Sequence, residues 1–207
     1  MQNLINQIER LKSSPIKDTI DFRISEFNEV GKKESREIFK ELCFCLMTAN
    51  FNAEGGIKIQ RELNDSLLIL PENLLANKLK ALGHRFPNTR AKFIFNARTL
   101  SNNIKEKLKE FNSDEEKREW LVKNVKGLGY KEASHFLRNI GYKNVAIIDF
   151  HIIDLLVKNN LIEEPKNLNA KKYLEIENVL KELSRKTGLN LGELDLYLWY
   201  METGKVL

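Results

Sequence analysis

Apolar residues recur at helical spacing along most of the chain. Residues 35–50 place Ile38, Phe39, Leu42, Cys45 and Leu46 on one stripe, behind Ser35 as a candidate cap. Further helices are predicted over 52–64, 71–82 and 87–100. Gly83 stops the second of these, and Pro87 opens the third. Ser-Asp-Glu-Glu at 113–116 has the form of a capping box for a helix running to about residue 125. The remaining patterns fit helices at 131–140, 149–159, 170–187 and 191–201. No tandem repeat or low-complexity tract interrupts them. The expectation is an all-α protein whose weakest joints lie at 51–56, 83–87, 141–148 and 161–169. Two helical lobes with a cleft between them would suit that layout.

Composition narrows the class. The 207 residues are 42% hydrophobic, which opposes general disorder. The longest nearly apolar run, 42–49, is too short to cross a bilayer, and the first ten residues lack a basic leader with an apolar block. These features predict a soluble protein of the cell interior. Cys43 and Cys45 are the only cysteines, which excludes a disulfide framework and a four-cysteine zinc or iron–sulfur site.

Charge adds a possible partner. The net charge is only +5, but residues 73–105 contain seven Lys or Arg and no acid. Residues 117–143 carry seven basic residues against Glu119 and Glu132. Two such blocks suit a polyanion-binding face, and solvated helix surfaces remain the plainer reading.

The segment Val-Lys-Gly-Leu-Gly-Tyr-Lys-Glu-Ala (125–133) is the most informative. A helix ends, Gly127 and Gly129 flank Leu128, and another helix starts at once. The glycines permit positive φ and a close backbone approach, while Leu128 can plug the crevice between the helices. Backbone N–H groups near Gly129 and Tyr130 would then face outward at the positive end of the second helix, where an anion such as DNA phosphate is attracted. An ordinary αα turn is the alternative.

Lys131 opens that second helix, where the macrodipole disfavours a cation by about 0.3–1 kcal/mol. A shift to a neutral amine near pH 7 requires roughly 4 kcal/mol, so burial and neighbouring cations would have to supply the rest. A neutral Lys131 would be a nucleophile, and a charged one a phosphate contact. Asp149 ends the apolar run 145–148 and precedes an amphipathic helix. It reads as an N-cap, or as a carboxylate placed to meet a developing cation. His151, two residues on, could reach a phosphate.

The element Gly-Leu-Gly-Tyr-Lys-Glu-Ala followed by Ile-Ile-Asp-Phe-His (147–151) resembles the motif of the helix-hairpin-helix DNA glycosylases, in which a hairpin lysine marks the bifunctional glycosylase/lyases. Other segments carry the likeness further. They are Glu-Leu-Cys-Phe-Cys-Leu-Met-Thr-Ala-Asn-Phe-Asn-Ala-Glu-Gly-Gly-Ile (41–57), Leu-Gly-His-Arg-Phe (82–86) and Leu-Tyr-Leu-Trp-Tyr-Met-Glu-Thr-Gly-Lys (196–205). Together they are similar to the compact archaeal-type 8-oxoguanine DNA glycosylase/AP lyases. The loop before the aspartate, Asn-Val-Ala-Ile-Ile (144–148), departs from the glycine/proline loop of the wider superfamily. The chain also ends in Val-Leu, where the compact subfamily carries a lysine.

The resemblance implies a single helix-hairpin-helix unit over 1–207, with the hairpin and catalytic elements at about 113–160 and DNA in a cleft. It implies excision of 8-oxoguanine through a Schiff base on Lys131, with Asp149 stabilising positive charge, then β-elimination. It implies no metal and no organic cofactor, a double-stranded DNA partner bearing an oxidised purine, no membrane, a monomer, and a cytoplasmic, nucleoid-associated place in a prokaryote. Gly127, Leu128, Gly129, Tyr130 and His151 would touch DNA, Phe86 would wedge into the duplex, and Arg85 would hold a phosphate or the orphaned base. Trp199, Met201, Phe44 and Met47, with Phe51 nearby, are candidates for the base pocket, although aromatic and Met residues at such spacing are usually core. A non-catalytic DNA clamp, a glycosylase for another oxidised base and a structural adaptor remain as alternatives.

Overall fold

Caps written into the sequence set many of the helix boundaries. In the computed structural model, which describes residues 1–206, every regular element is helical. In order they are α1 (Gln2–Lys12), α2 (Ile16–Lys32), α3 (Ser35–Thr48), α4 (Ala53–Leu63), α5 (Ser66–Ile69), α6 (Glu72–Ala81) and α7 (Pro87–Ala97). A 3-10 turn at Arg98–Leu100 follows, then α8 (Ile104–Lys109), α9 (Asp114–Asn124), α10 (Tyr130–Asn139), α11 (Phe150–Lys158), α12 (Ala170–Thr187) and α13 (Leu191–Thr203). The capping box at Ser113 and Glu116 forms as expected, and Asn52, Asp149, Asn169 and Asn190 each cap the helix they precede.

Two expectations need correction. Ser35 does not cap α3. It is the first helical residue, and its hydroxyl donates to Glu106 and accepts from the Lys105 amide, tying α3 to α8. The helix 87–100 is α7 followed by the tighter turn, with Arg98 Nε bonded to the Leu67 carbonyl at 2.9 Å. The sequence reading did not identify α1, α2, α5 or α8. Each of the first two buries only two side chains fully: Leu4 and Ile8, then Ile20 and Phe27.

Helix α3 is buried around its whole circumference from Leu42 to Thr48 and forms the centre of the larger cluster of core residues. Its thiols, Cys43 and Cys45, are free and fully enclosed, and burial pushes both pKa values up. A second cluster joins α1, α11, α12 and α13 around Ile148 and Tyr173. Ile20 and Phe27 of α2 pack with Leu196 and Tyr197 of α13 in a third.

Several residues of the basic blocks are interior braces and cannot belong to a surface for polyanions. Arg90 donates to the Ala49 carbonyl, and Lys117 reaches the carbonyls of Phe111 and Ser113 at 2.9 and 3.2 Å. Arg118 is completely buried and grips both carboxylate oxygens of Glu177. That pair organises the segment 145–148, which is buried yet non-helical, so its peptide groups need partners. Glu177 accepts from the Ala146 amide at 2.8 Å. The Tyr173 hydroxyl donates to the Ala146 carbonyl at 2.7 Å and accepts from the Ile148 amide at 3.2 Å.

The loop after α6 is fixed by His84, which is buried. Its Nδ1 accepts from the Phe86 amide at 3.0 Å, so Nε2 carries the proton donated to the Met47 carbonyl at 2.9 Å. Its ring stacks on Phe51 with centroids 4.5 Å apart. Burial pushes the His84 pKa below its ordinary value.

Removing Glu177 would leave the Arg118 charge without its counter-ion and the Ala146 amide without its acceptor in the core. Glu177→Ala is therefore expected to cost about 3–5 kcal/mol in urea denaturation. The unfolded chain protonates His84 near pH 6.5 while the folded chain resists, so its contribution to stability is complete above that pH and lost as the pH falls. Between pH 7 and 5, His84→Gln should lose stability less steeply than the wild type, by up to about 1.4 kcal/mol per pH unit.

Candidate active site

The hairpin between α9 and α10 depends on one strained backbone position. Gly127 has φ +98°, and a Cβ there would lie 2.2 Å from the Phe93 ring. Any side chain would thus oppose both the local backbone and α7. Gly129 differs from expectation, because its backbone is extended, with φ −93° and ψ −175°. Leu128 is buried between the helices, and Ala133 is fully enclosed one turn into α10. The N-terminus of α10 has no side-chain cap, so its first amides are left without a side-chain acceptor, as an anion site requires. Tyr130 turns back, its hydroxyl bonded to the Glu119 carboxylate at 2.7 and 2.8 Å.

Beside this helix end lies a cavity of about 450 Å³. Lys131, His135 and Arg138 line it from α10 at positions i, i+4 and i+7, which share one helix face. Asp195, Trp199 and Thr203 line it from α13 at i, i+4 and i+8. Phe44 and Thr48 contribute from α3, and Asp149, Phe150 and His151 from the start of α11. The Lys131 side chain is partly buried, with its Nζ 3.9 Å from a Glu132 carboxylate oxygen. Asp149 caps α11 by accepting from the Ile152 amide at 3.0 Å through Oδ1. One carboxylate thus starts a helix and lines the cavity that holds the lysine.

The aromatic lining is ordered. Phe44 meets His135 edge to face with centroids 5.8 Å apart, and His151 meets Trp199 in the same way at 4.9 Å. Phe150 lies against His151 at 3.9 Å and is 66% exposed. The indole Nε1 of Trp199 is buried and has no hydrogen-bond partner among the described residues. Burial, reinforced by the Arg138 and Lys131 charges, holds the His135 imidazole well below its ordinary pKa. Burial pushes the Asp195 carboxyl up to about 6, a shift opposed by Arg138 and favoured by Asp149.

Five candidates from the sequence converge on this cavity: Phe44, Lys131, Asp149, His151 and Trp199. Phe51 joins them, stacked on His84. Met47 and Met201 do not. Met47 is fully buried in the core around α3, and Met201 packs against the second cluster. Arg85 and Phe86 sit on the exposed loop before α7, the guanidinium 5.0 Å above the Phe86 ring, outside the cavity lining. The chain-terminal carboxylate of Leu207 lies outside the described residues.

His135, which reads from the sequence as structural or phosphate-facing, lines the cavity together with Arg138, Asp195 and Phe150, for which the sequence alone suggests no role. The first two could have been found by projecting the α10 face forward from Lys131, and Asp195 by stepping back one turn from Trp199. His135 and His151, far apart in sequence, share the cavity. Even so, the described residues contain no group of three side chains able to hold a metal ion, and no helix among them is long and apolar enough to cross a membrane.

Comparison with known proteins agrees in sequence and in structure. Residues 20–189 match the sequence family described as 8-oxoguanine DNA glycosylase. The chain is 56% identical over 208 residues to the 8-oxoguanine DNA glycosylase/AP lyase of Korarchaeum cryptofilum, covering 100% of this chain and 99% of that one. It is 57% identical over 205 residues to the protein of the same name from Methanocaldococcus jannaschii, covering 99% of each. A crystal structure of the Methanocaldococcus jannaschii 8-oxoguanine glycosylase/lyase, in complex with a 15mer DNA containing 8-oxoguanine, superposes with a TM-score of 0.95 at 56% identity and 99% coverage of both chains. The 8-oxoguanine DNA glycosylase of Thermotoga maritima gives 0.92 at 41% identity, covering 99% of this chain and 98% of that one. With its hairpin, its lysine and its aspartate set in the fold these proteins share, the chain belongs to the 8-oxoguanine DNA glycosylase family.

Proposed function

We propose that this protein excises 8-oxoguanine from duplex DNA and then cuts the abasic strand, with Lys131 as nucleophile and Asp149 as its electrostatic partner. The observation that carries this reading is the convergence of Lys131 and Asp149 on one cavity of about 450 Å³ beside the uncapped N-terminus of α10. A passive DNA clamp needs the hairpin and its helix end. It has no use for an aromatic-lined pocket holding an amine and a carboxylate. The cavity lies in the size range of small-molecule sites and suits a single extruded nucleotide.

Catalysis follows from these positions. The unprotonated amine of Lys131 attacks C1′ as the C1′–N9 bond breaks, and the bond electrons leave with the base, which takes up a proton. Positive charge develops on C1′ and O4′, and the Asp149 carboxylate stabilises it. With one amine proton passed on as the base departs, the nitrogen lone pair expels O4′, which takes up a proton, and the sugar ring opens to a protonated Schiff base on Lys131. Removal of a C2′ proton then expels the 3′ oxygen, and water releases Lys131 from the unsaturated sugar. Each step uses protein groups, DNA and water alone. The backbone amides at the start of α10 and the His151 imidazole hold flanking phosphates, while Trp199 and Phe44 enclose the purine. Arg85 and Phe86, on their His84-anchored loop, occupy the duplex from which the base has left. The chain acts as one unit whose two principal core clusters form the walls of the cleft. It works on genomic DNA in the cytoplasm.

Lys131→Gln should abolish the covalent adduct that borohydride traps on an 8-oxoguanine duplex. Asp149→Asn should slow single-turnover excision by about 10²–10³-fold. A panel of duplexes bearing oxidised pyrimidines should react more slowly than 8-oxoguanine with the wild-type protein. Retention of the trapped adduct by the Lys131 variant would refute the assignment.

A further inference from the structure

A polar layer that the excision steps do not use runs beneath the reacting pair. Arg138 and Asp195 are 7% and 8% exposed, and both line the cavity. Arg138 follows Lys131 by seven residues on α10, and Asp195 precedes Trp199 by four on α13, so each shares a helix face with a residue of the proposed site. Nη1 of Arg138 donates to Oδ2 of Asp195. Its Nε and Nη2 both reach Asn139 Oδ1, at 3.1 and 2.9 Å. Asn139 passes the connection to Glu41 of α3 at 2.6 Å, and Gln60 of α4 closes on the same carboxylate at 3.3 Å.

Two observations make this more than core filling. Helix α10 packs chiefly on α2, α3 and α9, whereas α13 packs chiefly on α2, α11 and α12. The ion pair therefore ties the Lys131 helix directly to the Trp199 helix across the cavity. A buried ion pair is also a poor source of stability, since well-packed apolar residues of similar volume do as well or better. What a planar guanidinium held by a carboxylate and an amide supplies is fixed orientation.

We infer that Arg138 and Asp195 are positioning residues that set the gap between Lys131 and Trp199 in which the extruded base is seated. This rests on the excision reaction proposed above. Seating a purine requires that gap, whereas an abasic sugar presents nothing to fill it and needs only Lys131 and Asp149. The brace therefore governs base excision more than strand cleavage at a preformed abasic site.

The test uses the full chain carrying Arg138→Met with Asp195→Leu, which removes both charges together and leaves neither orphaned. Single-turnover excision of 8-oxoguanine should fall about 10- to 100-fold, while cleavage and borohydride trapping on an abasic duplex stay within about threefold of wild type. Unchanged excision would overturn the inference, and so would a parallel fall of both activities. Should the double variant not fold, Asp195→Asn keeps the side-chain volume and a hydrogen bond to Arg138. It should show the same split at smaller amplitude, and absence of a split overturns the inference. A wild-type protein that released no 8-oxoguanine would instead refute the excision reading.

Discussion

The ion pair between Arg118 and Glu177 is the constraint on which the site's geometry rests. It lies fully inside the protein and joins α9, the first helix of the hairpin, to α12. Through Glu177 and its neighbour Tyr173 it satisfies the peptide groups of a buried run that is neither helix nor strand. Irregular backbone is tolerated in a core only when its donors and acceptors are met. Once this run is held, Asp149 emerges at a fixed point, caps α11 and faces the cavity. The hairpin lysine and the distant carboxylate are thus referred to the same anchor.

From that anchor the chemistry needs little more than placement. Lys131 occupies the mouth of a helix whose uncapped amides suit an anion, so in the proposed reaction the element that would hold the DNA strand also carries the nucleophile. Asp149 caps α11, and under the proposed reaction the same side chain would serve as counter-charge. The polar layer under them, from Gln60 through Glu41 and Asn139 to Arg138 and Asp195, connects four helices that meet around the cavity. Side chains that would be costly in a featureless core become a scaffold when every partner is present.

Much of this was legible in the chain, for reasons that differ by residue. Ser113 with Glu116, and the 170–187 periodicity, are local signals, and the helices they specify formed where expected. The motifs carrying Lys131 and Asp149 are local too, each contained within a few residues of a helix start. Burial was not legible. Arg90, Lys117, Arg118 and Arg138 look like surface charge in a basic block, yet each points inward to a partner distant in sequence or to a backbone carbonyl. Met47 is a pocket candidate only through the resemblance; α3 is buried on all sides there, so periodicity cannot say which side meets the cavity. Asp195 shares a helix face with Trp199, but nothing local announces its pairing with Arg138, 57 residues away.

The enclosed thiols of α3 acquire meaning from the proposed chemistry. Reactive oxygen species that convert guanine to its oxidised form also attack cysteine, and they do so through the thiolate. Cys43 and Cys45 are sealed from solvent and held in the protonated form by their surroundings. An oxidant able to generate the lesion therefore finds no accessible sulfhydryl on this chain.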